Sequence, residues 1–300
     1  MAQRIHHQQC LICKSTRLSL AFPVKDHSIS SETFDLWDCQ DCGFRFTQDI
    51  PDADSIGPYY QSEDYISHSD TKKGIINQLY HTARSWMLQR KYQLVKRYSS
   101  TNRVLDVGSG TGYFLSFLKE KGHEVLGVEA DPGARAATKD QFGIEVHPPA
   151  LVEEGQLPGP FGAITMWHVM EHVHEPDVYL KSFNKSLDEE GTLIIAVPNR
   201  DALDAEKYGP VWAAYDVPRH LWHFRPKDME ALVKRNGFEV VEKIKMVLDP
   251  FYVSMLSEKY LGKGASGLIS AAIVGLRSHL NSLKNVNEAS SVIYVMKKVK

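Results

Sequence analysis

The sequence predicts an α/β fold: a mostly parallel sheet flanked by helices, with a small metal-bound unit ahead of it. Three observations carry this. A hydrophobic strand over 103–107 runs into a turn holding Gly108, Gly110 and Gly112, and then directly into a helix pattern with Phe114, Leu115, Phe117 and Leu118 as its apolar stripe. Glu129 closes the next strand, 124–128, about twenty residues past the turn, the usual distance in a strand–helix–strand unit. Cys10, Cys13, Cys39 and Cys42 form two C-x-x-C pairs, and they are all the cysteines of the chain. At 300 residues there is room for one full α/β domain and a smaller unit. A content of 43% hydrophobic and 24% charged residues is that of a globular protein, and a net charge of −2 lacks the basic footprint of a nucleic-acid binder. The polar start has no signal-peptide pattern, and the apolar stretch 264–276 is too short to span a bilayer. A cytoplasmic protein with no membrane span is expected.

Residues 1–50 read as a zinc ribbon. Each C-x-x-C turn presents two sulfurs to one ion, and strands at 19–24 and 33–38 form the hairpin between the pairs. Four thiolates complete tetrahedral zinc and leave no open position, so the ion is structural. Lys14 and Gly43, each following a pair, suit such turns. Redox activity is the competing reading, but a thioredoxin-like site uses one pair at a helix start, and disulfides are disfavoured in the cytosol. So small a unit draws folding free energy from its metal. Residues 51–100 form a linker with a tyrosine-rich stretch at 59–68 and a helical segment over about 73–98. The main domain starts after the ribbon, so metal removal is expected to leave it largely intact.

In the main domain the glycine turn departs from dinucleotide binding, which wants G-x-G-x-x-G. The third glycine comes one residue early, and Tyr113 fills the expected position. Asp106 would put a carboxylate beside a pyrophosphate, whereas a cationic ligand would welcome it. Val104 to Gly112, Val-Leu-Asp-Val-Gly-Ser-Gly-Thr-Gly, resembles the first motif of class I S-adenosylmethionine-dependent methyltransferases. Glu129 suits both ribose hydroxyls of an adenosine, which NAD shares, so it does not separate the two cofactors by itself. Met166 to Val173, following an apolar strand at 161–165, resembles the "EHV" segment of the quinone and phenol O-methyltransferase group, where methyl group and acceptor meet. A helix at 177–187, a turn at 188–191 and a strand at 192–197 ending in Pro198-Asn199 continue the likeness, with Glu190 in place of a glycine. The resemblance runs from about Arg103 to the C-terminus. It implies a Rossmann-like seven-stranded methyltransferase sheet with its last strand antiparallel. It also implies S-adenosylmethionine held by Asp106, Gly108, Ser109, Gly110, Gly112, Tyr113, Glu129, Ala130 and Trp167. A tyrosine-rich lid precedes the first strand in related enzymes, and Tyr65 is the lid candidate here; packing of the ribbon onto the helix is the alternative role for these tyrosines. A four-cysteine zinc domain ahead of such a fold resembles the deoxysugar C-methyltransferases, which are longer.

After Asn199 an irregular, aromatic-rich stretch to Pro226 is expected to fold over the carboxyl ends of the strands, where ligands bind. Asp216 to Phe224 resembles the "T-H-x-W" stretch of the quinone enzymes, and His220 and His223 flank Trp222 as candidate bases. His168 is a third candidate. On a helix, His168 and His172 face the same way, which with Glu171 makes a possible metal site; orientation of the loop is the plainer role. A helix at 226–236 capped by Gly237 and a strand at 238–247 follow. The segment 249–284 reads as an insertion of two helices before a closing strand at 291–299. Its stripe Leu268, Ile269, Ala272, Ile273, Leu276 and Leu280 has helical spacing and is expected to pack on the domain or on a second subunit, giving a homodimer. The reading that emerges is methyl transfer from S-adenosylmethionine to a small-molecule acceptor, oxygen favoured, carbon or nitrogen possible. The alternative is a non-catalytic protein that binds S-adenosylmethionine, or a partner through the ribbon.

Overall fold

The computed structural model describes residues 4–60 and 75–299, with the side chains of 75–82 left aside. Tyr65 lies outside the described residues. The chain runs β1 (Arg4–Ile5), β2 (Leu18–Lys25), β3 (Thr33–Cys39), β4 (Arg45–Thr47), β5 (Ile50–Pro51), α1 (Ile75–Tyr98), β6 (Arg103–Val107), α2 (Tyr113–Glu120), β7 (Glu124–Val128), α3 (Pro132–Phe142), β8 (Val146–His147), α4 (Ala150–Glu153) and β9 (Phe161–Trp167). Then come α5 (Pro176–Ser186), β10 (Leu187–Pro198), α6 (Leu203–Tyr208), β11 (Trp222–His223), α7 (Pro226–Arg235), β12 (Phe238–Lys245), α8 (Asp249–Tyr260), α9 (Ala265–Lys284) and β13 (Ser291–Lys298).

The large sheet has seven strands in the order β12-β13-β10-β9-β6-β7-β8. β10, β9, β6, β7 and β8 pair in parallel, while β13 is antiparallel to both its neighbours. Every residue of β9 is buried, as expected of a central strand covered on both faces. One face carries Leu105, Val107, Ile164, Met166, Leu193 and Ile195 into the largest core. The other carries Val104, Ala163, Ile194 and Ala196 against α1 and α2. Local signals set the helix ends. Asp131 caps α3 by accepting from the Gly133 N–H at 2.7 Å, with Pro132 in the first turn. Asp228 accepts from the Arg225 N–H at the start of α7.

Three expectations need correction. The turn at 188–191 is drawn into β10 as an irregularity between Leu187 and Thr192. The stretch 199–226 is ordered and largely buried, with α6, two short 3₁₀ turns at 209–211 and 213–215, and β11. Its aromatic rings Tyr208, Trp212 and Tyr215 build a separate core with Phe34 and Leu36 of the ribbon. The α9 stripe does not pack on the domain. The inward face is Gly267, Ala271, Val274, Gly275, Ser278 and Ser282, and Leu268, Ile269, Ile273, Leu276 and Leu280 are exposed. Gly275 explains the inversion, since a Cβ there would lie 2.7 Å from the Phe251 ring, so α8 and α9 touch through small residues.

The N-terminal unit is also less separate than its position suggests. Its sheet has the order β11-β4-β3-β2, and β11, from the middle of the large domain's sequence, pairs with β4. Arg219, 2% exposed, bridges Asp26 of the ribbon (2.9 Å) and Asp216 (2.6 Å). Arg225 donates to the Cys42 carbonyl.

Candidate functional site

Strands β6 and β7 deliver the glycine turn and Glu129 to the same edge of the sheet. Gly108, Gly110 and Gly112 all have positive φ (73°, 54° and 79°). A Cβ on Gly108 would lie 2.1 Å from Val169 and one on Gly112 2.2 Å from Thr138, whereas one on Gly110 meets nothing within 4 Å. Two of the glycines thus serve close packing, and the third leaves an open face. Glu129, half-buried, accepts from the Gly110 N–H at 2.8 Å and the Asp131 N–H at 3.0 Å. Each oxygen keeps a lone pair for a ligand hydroxyl. The Ser109 hydroxyl is buried without a hydrogen-bond partner among the described residues. Asp106 is buried, with the Thr165 hydroxyl donating to it at 2.6 Å. Burial raises its carboxyl to about 6, against the opposing pull of Thr165 and the Lys91 charge. A cation placed beside it would restore the carboxylate. These residues fit S-adenosylmethionine: a cradle open at Gly110, a carboxylate for ribose hydroxyls, and a buried acid that favours positive charge.

The other expected contacts are more mixed. Ala130 is exposed, and its carbonyl accepts from Arg135, as does that of Glu129. Tyr113 packs edge-on to Phe142, with the Arg84 guanidinium 4.3 Å from its ring centre. Trp167 stands edge-on to Phe114 at the carboxyl end of β9, its indole N–H unpaired among the described residues.

The three candidate bases have different surroundings. His168, at φ 56°, lies between Asp249 (3.0 Å) and Glu171 (3.4 Å). Burial works to lower its pKa, but the two carboxylates outweigh it and push the ring up to about 10. The two carboxylates thus favour the imidazolium form of His168. His223 sits in β11, 3.0 Å from the Thr47 hydroxyl, and that hydroxyl is 2.7 Å from the His220 carbonyl. Thr47 has one proton, and the carbonyl can only accept, so the His223 Nε2 is the donor to Thr47. Burial holds this ring neutral, well below its ordinary value. It ties the ribbon to the loop. The His220 Nδ1–H donates to the Ala214 carbonyl at 2.8 Å, and its Nε2 lies 3.9 Å from Asp216.

The His168–His172 helix is also corrected. The segment is a 3₁₀ turn over Met170–His172, and His168 precedes it. The residues that do converge are Glu171, His172 and His220, whose ligand atoms all lie within 4.8 Å of one another. The oxygens of Glu171 have no hydrogen bond among the described residues, only the His168 ion contact. His172, 3.0 Å from the Tyr60 hydroxyl, is held down to about 4 by burial and then by His220. This donor set can hold a divalent cation.

The cysteines make two matching knuckles. Lys14 N–H donates to the Cys10 carbonyl (3.0 Å) and Gly43 N–H to that of Cys39 (2.7 Å), with both residues at positive φ, 61° and 74°. The Sγ atoms of Cys10 and Cys42, and of Cys13 and Cys39, are 3.5 Å apart, and all four lie within 4.8 Å. Tetrahedral zinc with Zn–S near 2.3 Å separates its sulfurs by about 3.8 Å. The cluster fits that ion.

Lys91, Asp249 and Arg219 were not read from the sequence. Lys91 had a signal: with Met87, Leu88, Leu94 and Val95 it keeps the helical spacing of an apolar stripe, where a lysine is out of place. Its ammonium lies 4.7 Å from the Trp167 ring centre. Asp249 had none, since it comes from the start of an insertion.

A family model described as a methyltransferase domain matches residues 80–243. A ubiquinone biosynthesis O-methyltransferase of Azorhizobium caulinodans is 28% identical over 166 residues, 49% of this chain and 63% of that protein. One from Idiomarina loihiensis is 24% identical over 169 residues, 52% of this chain and 70% of its own length. The chain thus spans less than two thirds of the Azorhizobium protein. The solved structure of a magnesium protoporphyrin IX methyltransferase from Synechocystis, with bound SAH, shares the fold at a TM-score of 0.53. Its identity is 11%, covering 82% of this chain and all of that one. The matched segment holds more than half of the chain, including the glycine turn and Glu129, and the chain belongs to the methyltransferase-domain family.

Proposed function

We propose that the protein transfers a methyl group from S-adenosylmethionine to a small-molecule acceptor, with oxygen the favoured receiving atom and carbon or nitrogen open to the same geometry. The observation that carries this is the Gly110 cradle, open between the carboxylates of Asp106 and Glu129. S-adenosylmethionine, when bound, supplies an electrophilic methyl carbon for direct displacement. Glu129 takes the ribose hydroxyls, and Asp106 faces positive charge. The His220 Nε2 accepts the acceptor's proton. The His168 imidazolium holds Glu171 and Asp249 in place. Cys10, Cys13, Cys39 and Cys42 hold one structural zinc, which suits a reducing, cytoplasmic setting. The exposed face of α9 joins two copies into a homodimer. Among the described residues no helix is long and apolar enough to cross a membrane.

Radiolabelled methyl transfer over a panel of phenols, sugar nucleotides and amines tests the activity. Protein-dependent label in one acceptor class is expected. Tight cofactor binding with no transfer to any class would leave a binding protein.

A further inference from the structure

A cavity of about 270 Å³ opens between α1 and the outer strands of the large sheet. Met87 and Leu94 of α1, Trp167 at the end of β9, and Ile244, Met246 and Ile293 give it an apolar wall. The remaining lining includes Arg90, Lys91 and Lys245, and no carboxylate is among the described lining residues. The cavity shares Trp167 with the candidate site, so it adjoins the place where methyl transfer is proposed.

The three cations are not equivalent. Lys91 points back to the cofactor side, where the charges of Asp106 and Asp249 act on it. Arg90 and Lys245 make no ion pair among the described residues. The Arg90 guanidinium lies 4.8 Å from the Trp86 ring centre. The Lys245 ammonium is shielded from water and makes no hydrogen bond among the described residues. After burial, the charge acting on it is the repulsion of Arg90. From α9, His279 also feels the Lys245 charge, which adds an imidazole and no acid. Two cations beside one apolar cavity, with no counter-charge among the described residues, are unfavourable unless an anion sits near them.

We propose that this cavity receives one end of the acceptor, and that Arg90 and Lys245 select an acceptor whose apolar body carries an anionic group, such as a carboxylate, at that end. The inference deepens the methyl-transfer reading and rests on it. The cofactor's own carboxylate is the other possible source of the anion, and the test separates the two.

Benzoate and its neutral isostere benzamide are titrated by calorimetry into the SAH-loaded protein, and SAH into the free protein. Wild type should prefer benzoate by about tenfold or more, the size of a charged hydrogen bond. Lys245→Met should erase that preference and leave SAH affinity within about twofold, and Lys245→Arg should retain it. Thermal midpoints check that each variant folds, and Arg90→Met provides a second probe should Lys245→Met fail. Equal binding of benzoate and benzamide to wild type would overturn the proposal. So would a loss of SAH affinity in Lys245→Met with the benzoate preference intact, since the cations would then serve the cofactor. Failure of SAH to bind wild type, with the preference kept, would sink methyl transfer and leave the anion cavity standing.

Discussion

At the scale of single residues the site rests on carboxylates whose surroundings differ. Glu129 already accepts two backbone N–H bonds, so it is oriented before any ligand arrives. Glu129→Ala should weaken S-adenosylmethionine by about 1–3 kcal/mol, as for hydrogen bonds to a charged group, and calorimetry reads this directly. Unchanged affinity would remove it from the ribose. Asp106 gives a pH dependence. Its folded carboxyl is raised to about 6, so below that pH it is protonated and neutral. A cationic ligand favours the carboxylate, and affinity should therefore rise as pH increases through about 6 and then level off. Asp106→Asn should flatten that profile; a slope kept in the variant would assign it elsewhere. For His220→Ala, turnover should fall by about 10²–10⁴-fold with cofactor affinity near wild type. The loss should be smaller for an acceptor already ionised at the assay pH, and equal losses would make His220 a positioning residue. The sequence put His220 first among the candidate bases, with His223 and His168 behind it. Only their neighbours separate them, and those neighbours, Asp249 and Thr47, come from distant parts of the chain.

At the scale of elements, α9 is the outlier. An ordinary surface helix turns its apolar stripe inward, but here Ile269 is 66% exposed while Gly275 is buried. An apolar face of this length suits the proposed interface, and a two-fold pair of α9 helices would cover it in both copies. Light scattering should report twice the chain mass, and the double variant Ile269→Lys, Ile273→Lys should report one. A monomeric wild type at micromolar concentration would end the dimer reading. The spacing of this stripe was legible in the sequence, whereas its direction was not: periodicity says that residues share a face, and tertiary packing decides which face turns inward. β6, α2, β7 and the β12–β13 pair were legible because glycine turns and runs of apolar residues act locally. The order within 199–226 was hidden because its core partners, Phe34 and Leu36, lie in the ribbon. β11 could not be seen, being two residues long and paired with β4.

For the whole molecule, the shared sheet changes what the four cysteines do. They were expected to support the ribbon alone, yet the knuckle of Cys39 and Cys42 leads directly into β4, and β4 holds β11 and the His220 loop. Chelation should therefore lower turnover and loosen 219–225 in hydrogen exchange, beyond the ribbon itself; protection unchanged in that segment would show the two halves to be independent. A further consequence follows from thermodynamic reciprocity. If the ion steadies the loop that meets the acceptor, then the acceptor must tighten the ion by the same factor. The affinity of the four cysteines for zinc, read by equilibrium competition with a chelator, becomes a sensor of acceptor occupancy at the opposite end of the shared sheet. Candidate acceptors can then be ranked by how far they shift that equilibrium, without any methyl group being transferred.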